Sequence, residues 1–215
     1  MAILASVNIG KPQPIPGKPA QTGIFKEPVQ GEVTITRNGL EGDAVLDRKH
    51  HGGRDQAIYV YFTDDYDWWS HELGKPLEPG TFGENITIGG VAGRTVAIGD
   101  RFTIDEVVLE VTSHRTPCMT LARRMGDPGF IKRFHKANRP GAYCRVIAAG
   151  AFHASEPVRY TPFAGERTTV SELMTLDGVR EPDPAILRRA LTAPVNYKMR
   201  ADFEEKLARD RKSVV

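Results

Sequence analysis

The chain has 215 residues, 40% of them hydrophobic and 26% charged, which fits one globular domain with an appendage and excludes a disordered or fibrous chain. Its 29 Lys and Arg against 27 Asp and Glu leave a net charge of +2, too small a surplus to make nucleic acid or a membrane surface the expected partner. Two cysteines, Cys118 and Cys144, supply neither a disulfide framework nor the four ligands of an iron–sulfur cluster, and they favour a cytoplasmic setting. No apolar stretch approaches the ~18 residues of a membrane span. The opening MAILASVNIGKPQP has no basic segment ahead of its apolar run, so no signal peptide is expected.

The 21 glycines and 15 prolines exceed the usual share and signal many turns between short strands. In chain order, residues 3–9, 31–37, 56–62, 85–88, 95–98, 101–104, 107–113, 142–148 and 158–161 read as strands. A mainly β, closed antiparallel barrel would pair so many short strands without leaving edges. Three helices are predicted between them. Thr63 caps the first, with Tyr66, Trp69 and Leu73 on one face; Thr116-Pro117 opens the second and Asp127-Pro128 the third. Past residue 162 the texture turns helical, with Thr169 and Glu172 as a capping pair, Asp183-Pro184 as a helix start and Asn196 ahead of a last amphipathic run. The expected organisation is therefore a barrel domain over 1–162 and a three-helix module over 163–215. That module holds too little core to stand alone, so it should dock on the barrel or on a second subunit in a homodimer. Its basic residues alternate with Asp202, Glu204 and Glu205, the pattern of a solvated face rather than a DNA reader.

Arg115-Thr116-Pro117-Cys118 is the sharpest chemical signal. With Thr116 as cap and Pro117 in the first helical position, Cys118 would sit among unpaired backbone N–H groups that favour its thiolate. Such a cysteine is a nucleophile or a soft metal ligand, although a buried, inert thiol fits the same spacing. Cys144, inside the strand-like AYCRVIAAG, reads as core. Residues 47–54 carry Arg48, Lys49, His51 and Arg54 around Gly52 and Gly53, a turn able to aim N–H groups and charge at an anion or simply to expose both. Gly83, Glu84 and Asn85 lead into a strand and offer an acceptor and an amide to a heterocycle edge. Arg133, His135, Lys136 and Arg139 precede the strand holding Arg145, a basic group suited to an anionic ligand or to water.

Taken in order, Thr22-Gly23-Ile24-Phe25-Lys26, Gly42-Asp43, His51-Gly52-Gly53 with Ala57 and Tyr59, Phe82-Gly83-Glu84-Asn85, Ile98-Gly99-Asp100, Arg115-Thr116-Pro117-Cys118 and Gly141 to Val146 resemble the MOSC domain family, in its bacterial YiiM-like branch. The chain departs from that pattern mildly, at His114 and Met119. The resemblance implies a β-barrel holding a pterin-based molybdenum cofactor, with Cys118 as the metal's thiolate ligand. It implies that Lys26, His51, Gly52, Gly53, Arg54, Arg115, Thr116, Arg139 and Arg145 hold the cofactor's anionic part, and that Gly83, Glu84 and Asn85 meet its pterin edge. The activity it implies is reduction of N-hydroxylated compounds such as hydroxylamino-purines, a detoxification, with Cys118, Arg115 and His51 as the catalytic set. With no flavin, haem or cluster motif in the chain, the electrons would come from a separate reductase. The alternative is a carrier that holds a persulfide or the cofactor itself on Cys118 without reducing anything.

Overall fold

The computed structural model describes residues 1–46 and 52–213. In chain order the strands are β1 (Ala2–Gly10), β2 (Gln13–Pro14), β3 (Gln21–Thr22), β4 (Lys26–Pro28), β5 (Val33–Thr36), β6 (Gly39–Leu40), β7 (Ile58–Phe62), β8 (Ile86–Gly89), β9 (Arg101–Ile104), β10 (Val107–His114), β11 (Ala142–Ala148), β12 (Gly150–Phe152) and β13 (Pro157–Thr161). Helix α1 (Thr63–Leu73) follows β7, α2 (Met119–Met125) and α3 (Phe130–Ala137) follow β10, and α4 (Val170–Met174), α5 (Pro184–Thr192) and α6 (Tyr197–Ser213) close the chain.

The barrel wall runs β13, β9, β10, β11, β7, β8, β1 and returns to β13 through Ala2 opposite Val158. Its seven strands close on themselves, so the wall has no open edge. Pairing is antiparallel except between β7 and β8, where Val60 faces Ile86 in parallel register. That exception follows from α1, which lies between the two strands in sequence and carries the chain back before β8 begins. The short strands β2, β3, β4, β6 and β12, which the Pro- and Gly-rich segments hid, decorate the barrel. The segment 95–98 is not a ladder strand. Asp100 accepts from the Ala97 N–H at 2.8 Å, and Ile98 and Val96 bond to Thr168 and Val170 instead.

Period-two alternation distributes the side chains of the wall between two cores. Ile58, Val60, Phe62, Ala142 and Cys144 belong to the barrel core, while Tyr59, Tyr61 and Tyr143 belong to a second core with Trp69, Phe82, Phe130 and Phe134. Helices α1 to α3 cover that second face, which is why β7 is buried at every position. Trp69 donates from Nε1 to the Tyr61 hydroxyl at 2.9 Å, so the aromatic core carries a satisfied polar handle.

Three helix starts differ from expectation. Thr63 is the first residue of α1, with Phe62 at the cap position and no side-chain cap. Asp64 in that first turn accepts from the Gly93 N–H at 3.2 Å. The helix expected from Asp127-Pro128 begins at Phe130, because the Asp127 carboxylate takes the Gly129 N–H at 2.8 Å and forms a turn first. The third concerns Cys118 and bears on the site. Over the C-terminal segment, Thr169 and Glu172 form the reciprocal capping box and Asp183 caps α5. Val170, Leu173, Leu187, Ala190 and Phe203 from these helices, with Val195 between α5 and α6, join the same hydrophobic core as the barrel residues.

Candidate functional site

A cavity of about 450 Å³ lies against the wall on the side of Tyr59 and Tyr143, bounded by residues 20–24 and 43–46 and by Gly52, Gly83, Asn85, Arg115 and Cys118. The chain delivers Arg115 and Cys118 there as β10 ends and turns into α2. Cys118 occupies the cap position of α2 (φ −127°, ψ 167°), not its first turn, and its carbonyl accepts the first helical bond from the Ala122 N–H at 3.2 Å. The expected start at Thr116-Pro117 is displaced because Thr116 stays exposed beside His114 while Pro117 buries its ring. With only seven residues, α2 offers little dipole. The positive charge next to the sulfur comes from Arg115.

Arg115 is 3% exposed, its guanidinium centred 5.2 Å over the Tyr59 ring and 5.9 Å over Phe134. Burial disfavours its charge, but the neighbouring Tyr59, Tyr143 and Cys118 outweigh that and hold its pKa above the ordinary arginine value. Its Nη1 is buried without a hydrogen-bond partner. A permanent cation with an unanswered donor, on the wall of a hollow, is a place for an anionic group to complete.

Lys26, from β4, faces the same hollow but is answered from within. Its Nζ lies 2.5 Å from both oxygens of Asp43. Burial lowers its pKa, and Asp43 opposes that shift. Asp43 further accepts from the Gly10 N–H at 2.8 Å and from Asn85 Nδ2 at 2.9 Å, and Asn85 Oδ1 accepts from the Tyr59 N–H at 3.2 Å. Asn85 is therefore a brace of the cavity wall. Gly83 (φ +79°) lies against Ile24, whose Cγ1 would sit 2.8 Å from an added Cβ, and Gly52 (φ +81°) would bring one to 3.0 Å from Val45. A side chain at either position would crowd that neighbour.

Several expected contacts do not form. Glu84 is fully buried away from the cavity and accepts from the Tyr66 hydroxyl at 2.5 Å, the Gly80 N–H at 2.6 Å and the Thr87 hydroxyl at 3.0 Å. It shapes the turn under Phe82 and does not present an edge to a ligand. Arg139 is taken up by Asp65 at 2.5 Å and stacks over Trp68, because Asp65 is buried in α1 and requires a counter-charge. Arg145 pairs with Asp55 at 3.1 Å and donates to the Pro194 carbonyl, tying the barrel to the C-terminal helices. Arg54 is exposed, and neither it nor Gly53 lines the cavity. Thr116 lines the neighbouring hollow. His51, with Arg48 and Lys49, lies outside the described residues. Tyr143 and Asp43 join the cavity wall without a local motif that marks them; the alternation of AYCRV, with Cys144 turned inward, is the signal that Tyr143 faces the other way.

A second hollow, of about 720 Å³, shares Gln56, Cys118, Thr120 and Tyr143 with the first and is completed by α4, residues 176–178 and α6. Cys118, half-buried, thus borders both. Among the described residues no cluster of three or more His, Cys, Asp or Glu is placed to hold a bare metal ion. A soft metal seated on Cys118 would bring its other ligands with it, and a dithiolene-bearing, phosphorylated cofactor has both the donors to do so and the anion that Arg115 lacks.

Comparisons with known proteins complete the picture. The MOSC domain family profile matches residues 47–159. The chain is 39% identical to the uncharacterized protein YflK of Bacillus subtilis over 147 residues, 67% of this chain and 66% of that protein. It is 33% identical to protein YiiM of Escherichia coli over 156 residues, 71% of this chain and 69% of that protein. It is also 33% identical over 135 residues to a protein named reductase from Gibberella moniliformis, but this match spans only 24% of the fungal protein. The crystal structure of YiiM from Geobacillus stearothermophilus superimposes with a TM-score of 0.80 at 24% identity, covering 96% of this chain and all of the other.

Proposed function

From the premise that this chain belongs to the MOSC domain family, we propose that it is a molybdenum-cofactor-dependent reductase of N-hydroxylated compounds, serving detoxification. The observation that carries the reading is the pairing of a half-buried thiol with a buried guanidinium whose Nη1 is unanswered, both on one cavity wall. The name of the fungal relative supports the oxidoreductase class.

Cys118 would hold the metal through its sulfur, and the adjacent Arg115 charge favours that sulfur in its anionic form. Arg115 would bind the cofactor's anionic part through Nη1, while Gly52 and Gly83 line the hollow in close packing with Val45 and Ile24. When bound, the cofactor supplies the two-electron chemistry that reduction of an N–O bond requires. Two protons and two electrons convert R–NH–OH to R–NH2 and water, the electrons coming from a separate reductase. Tyr59 and Tyr143 keep their protons, since burial raises the pKa of both, and so line the cavity as neutral walls.

Elemental analysis of protein made in a cofactor-competent host tests this. About one molybdenum per chain is expected, with loss in Cys118→Ala and a severalfold drop in Arg115→Met. A labile extra sulfur on Cys118 without molybdenum would instead make the protein a carrier.

A further inference from the structure

We infer that Arg139, and the chain corner it anchors, set the anion affinity of Arg115 from outside the cavity, with the Tyr59 ring as the link. The inference rests on the functional reading above, in which Arg115 receives the cofactor's anionic part, and it makes Arg139 and Tyr59 positioning residues of that site.

Arg115 takes its direction from rings. Among the described residues no carboxylate pairs with it; the Tyr59 and Phe134 faces hold it at 5.2 and 5.9 Å, together with a hydrogen bond to the Tyr143 side chain. A planar guanidinium resting on an aromatic face follows the tilt of that face. The direction of Nη1 therefore depends on how Tyr59 stands.

Tyr59 is fixed at its far end. Its hydroxyl donates to the Pro140 carbonyl at 2.8 Å, and the Tyr61 hydroxyl donates to the Arg139 carbonyl at 2.9 Å. Both acceptors belong to the corner of residues 138–141 between α3 and β11, where Asn138 (φ +49°) and Gly141 (φ +64°) turn the chain. The corner presses on the rings, since a Cβ at Gly141 would come within 2.6 Å of Tyr61 Cδ2 and 2.9 Å of Tyr59 Cε2. On its outer side, the Arg139 guanidinium lies 2.5 Å from Asp65 and 5.0 Å over Trp68, and the Asn138 carbonyl accepts from the Ser171 hydroxyl of α4 at 3.2 Å. Arg139 thus grips α1 with its side chain and Tyr61 with its carbonyl. Buried hydroxyls stay with their acceptors, so a shift of the corner carries both rings with it, and close packing leaves them little room to absorb the shift.

Titration calorimetry with inorganic phosphate on cofactor-free protein tests the link, at pH 8, above the value of about 7 to which burial raises the Asp65 pKa. Arg115→Met should abolish saturable binding. Tyr59→Phe, which keeps the ring face and leaves the Asp65–Arg139 pair intact, should weaken binding by about fivefold or more. Arg139→Met should do the same, as should Asp65→Asn/Arg139→Met, which leaves no unpaired buried charge to threaten folding. Arg139→Lys should recover affinity to within about twofold. Combining Tyr59→Phe with Arg139→Met should cost no more than about twofold beyond the weaker single variant, because both break one chain of contacts. Arg145→Met, which breaks an ion pair elsewhere on the barrel, should leave affinity within about twofold. Binding that survives Arg115→Met, unchanged affinity in Tyr59→Phe, losses that multiply in the combined variant, or an equal loss in Arg145→Met would each overturn the inference. Molybdenum content separates it from the functional reading. Protein that loads molybdenum but keeps full phosphate affinity in Tyr59→Phe refutes the link alone, whereas the expected phosphate series in a chain that takes up no molybdenum refutes the reductase reading.

Discussion

Asp65 shows how one residue's surroundings set its chemistry. It sits fully buried in α1 beside Asp64, and although Arg139 lies 2.5 Å away, burial and the Asp64 charge push its pKa up to about 7. A carboxyl that holds its proton more tightly folded than unfolded contributes stability that is complete below the unfolded value near 4 and lost as pH rises through about 7. The wild type should therefore lose stability between pH 5 and 7 with a contribution from this group of up to roughly 1.4 kcal/mol per pH unit. Asp65→Asn should flatten that slope whatever it does to absolute stability, as read by chemical denaturation across the pH series. An unchanged slope would show that Arg139 keeps Asp65 ionised throughout. Arg115 is the opposite case, a buried cation answered by aromatic faces and a sulfur instead of a carboxylate. This contrast explains why Arg115 has an unanswered donor on a cavity wall while Arg139 is committed to Asp65.

Among the elements, α4 is the shortest helix and the one that most needs its ends secured. The Thr169 hydroxyl accepts from the Glu172 N–H at 3.0 Å, and the Glu172 carboxylate accepts from the Thr169 N–H at 3.3 Å and from Arg189 of α5. Thr169→Ala should cost about 1 kcal/mol in urea-induced unfolding, in line with the loss of a helix cap. A cost near zero would mean that packing of Val170 and Leu173 fixes α4 without its cap. This helix start was legible because a capping box is a local pattern, satisfied by atoms three residues apart. The start of α2 was not, since the same local logic placed it two residues early. Thr116 lies 3.4 Å from His114 through its hydroxyl, and His114 is held by Asp177, more than sixty residues away in sequence. No local rule could anticipate that competition.

Across the whole molecule, barrel and C-terminal helices are bound by shared apolar packing and by a polar seam. Asp55 accepts from the Tyr197 N–H at 2.9 Å while pairing with Arg145, and the Asn196 N–H donates to the Thr112 carbonyl at 2.8 Å. Leu187, 1% exposed on α5, is part of the common core. Leu187→Ala should lower stability by about 2–5 kcal/mol. It should also shift a single calorimetric transition, because residues of both segments lose the same contacts. Two separate transitions would show that the helices form an independent unit.

The sequence by itself determined the alternation that builds the wall, the caps of α4 and α5, the family, and the run that delivers Arg115 and Cys118 together. These are properties of neighbouring residues, whose spacing acts directly on backbone conformation. Only the tertiary structure decided which charged groups are already answered, and it removed Glu84, Arg139 and Arg145 from the cavity wall by giving each a distant partner. It also decided that Cys118 borders two hollows of different character, one of them walled by helices that follow it by more than fifty residues. Charge pairing and cavity formation depend on distances through space, and a linear order of residues does not contain those distances until the chain has closed on itself.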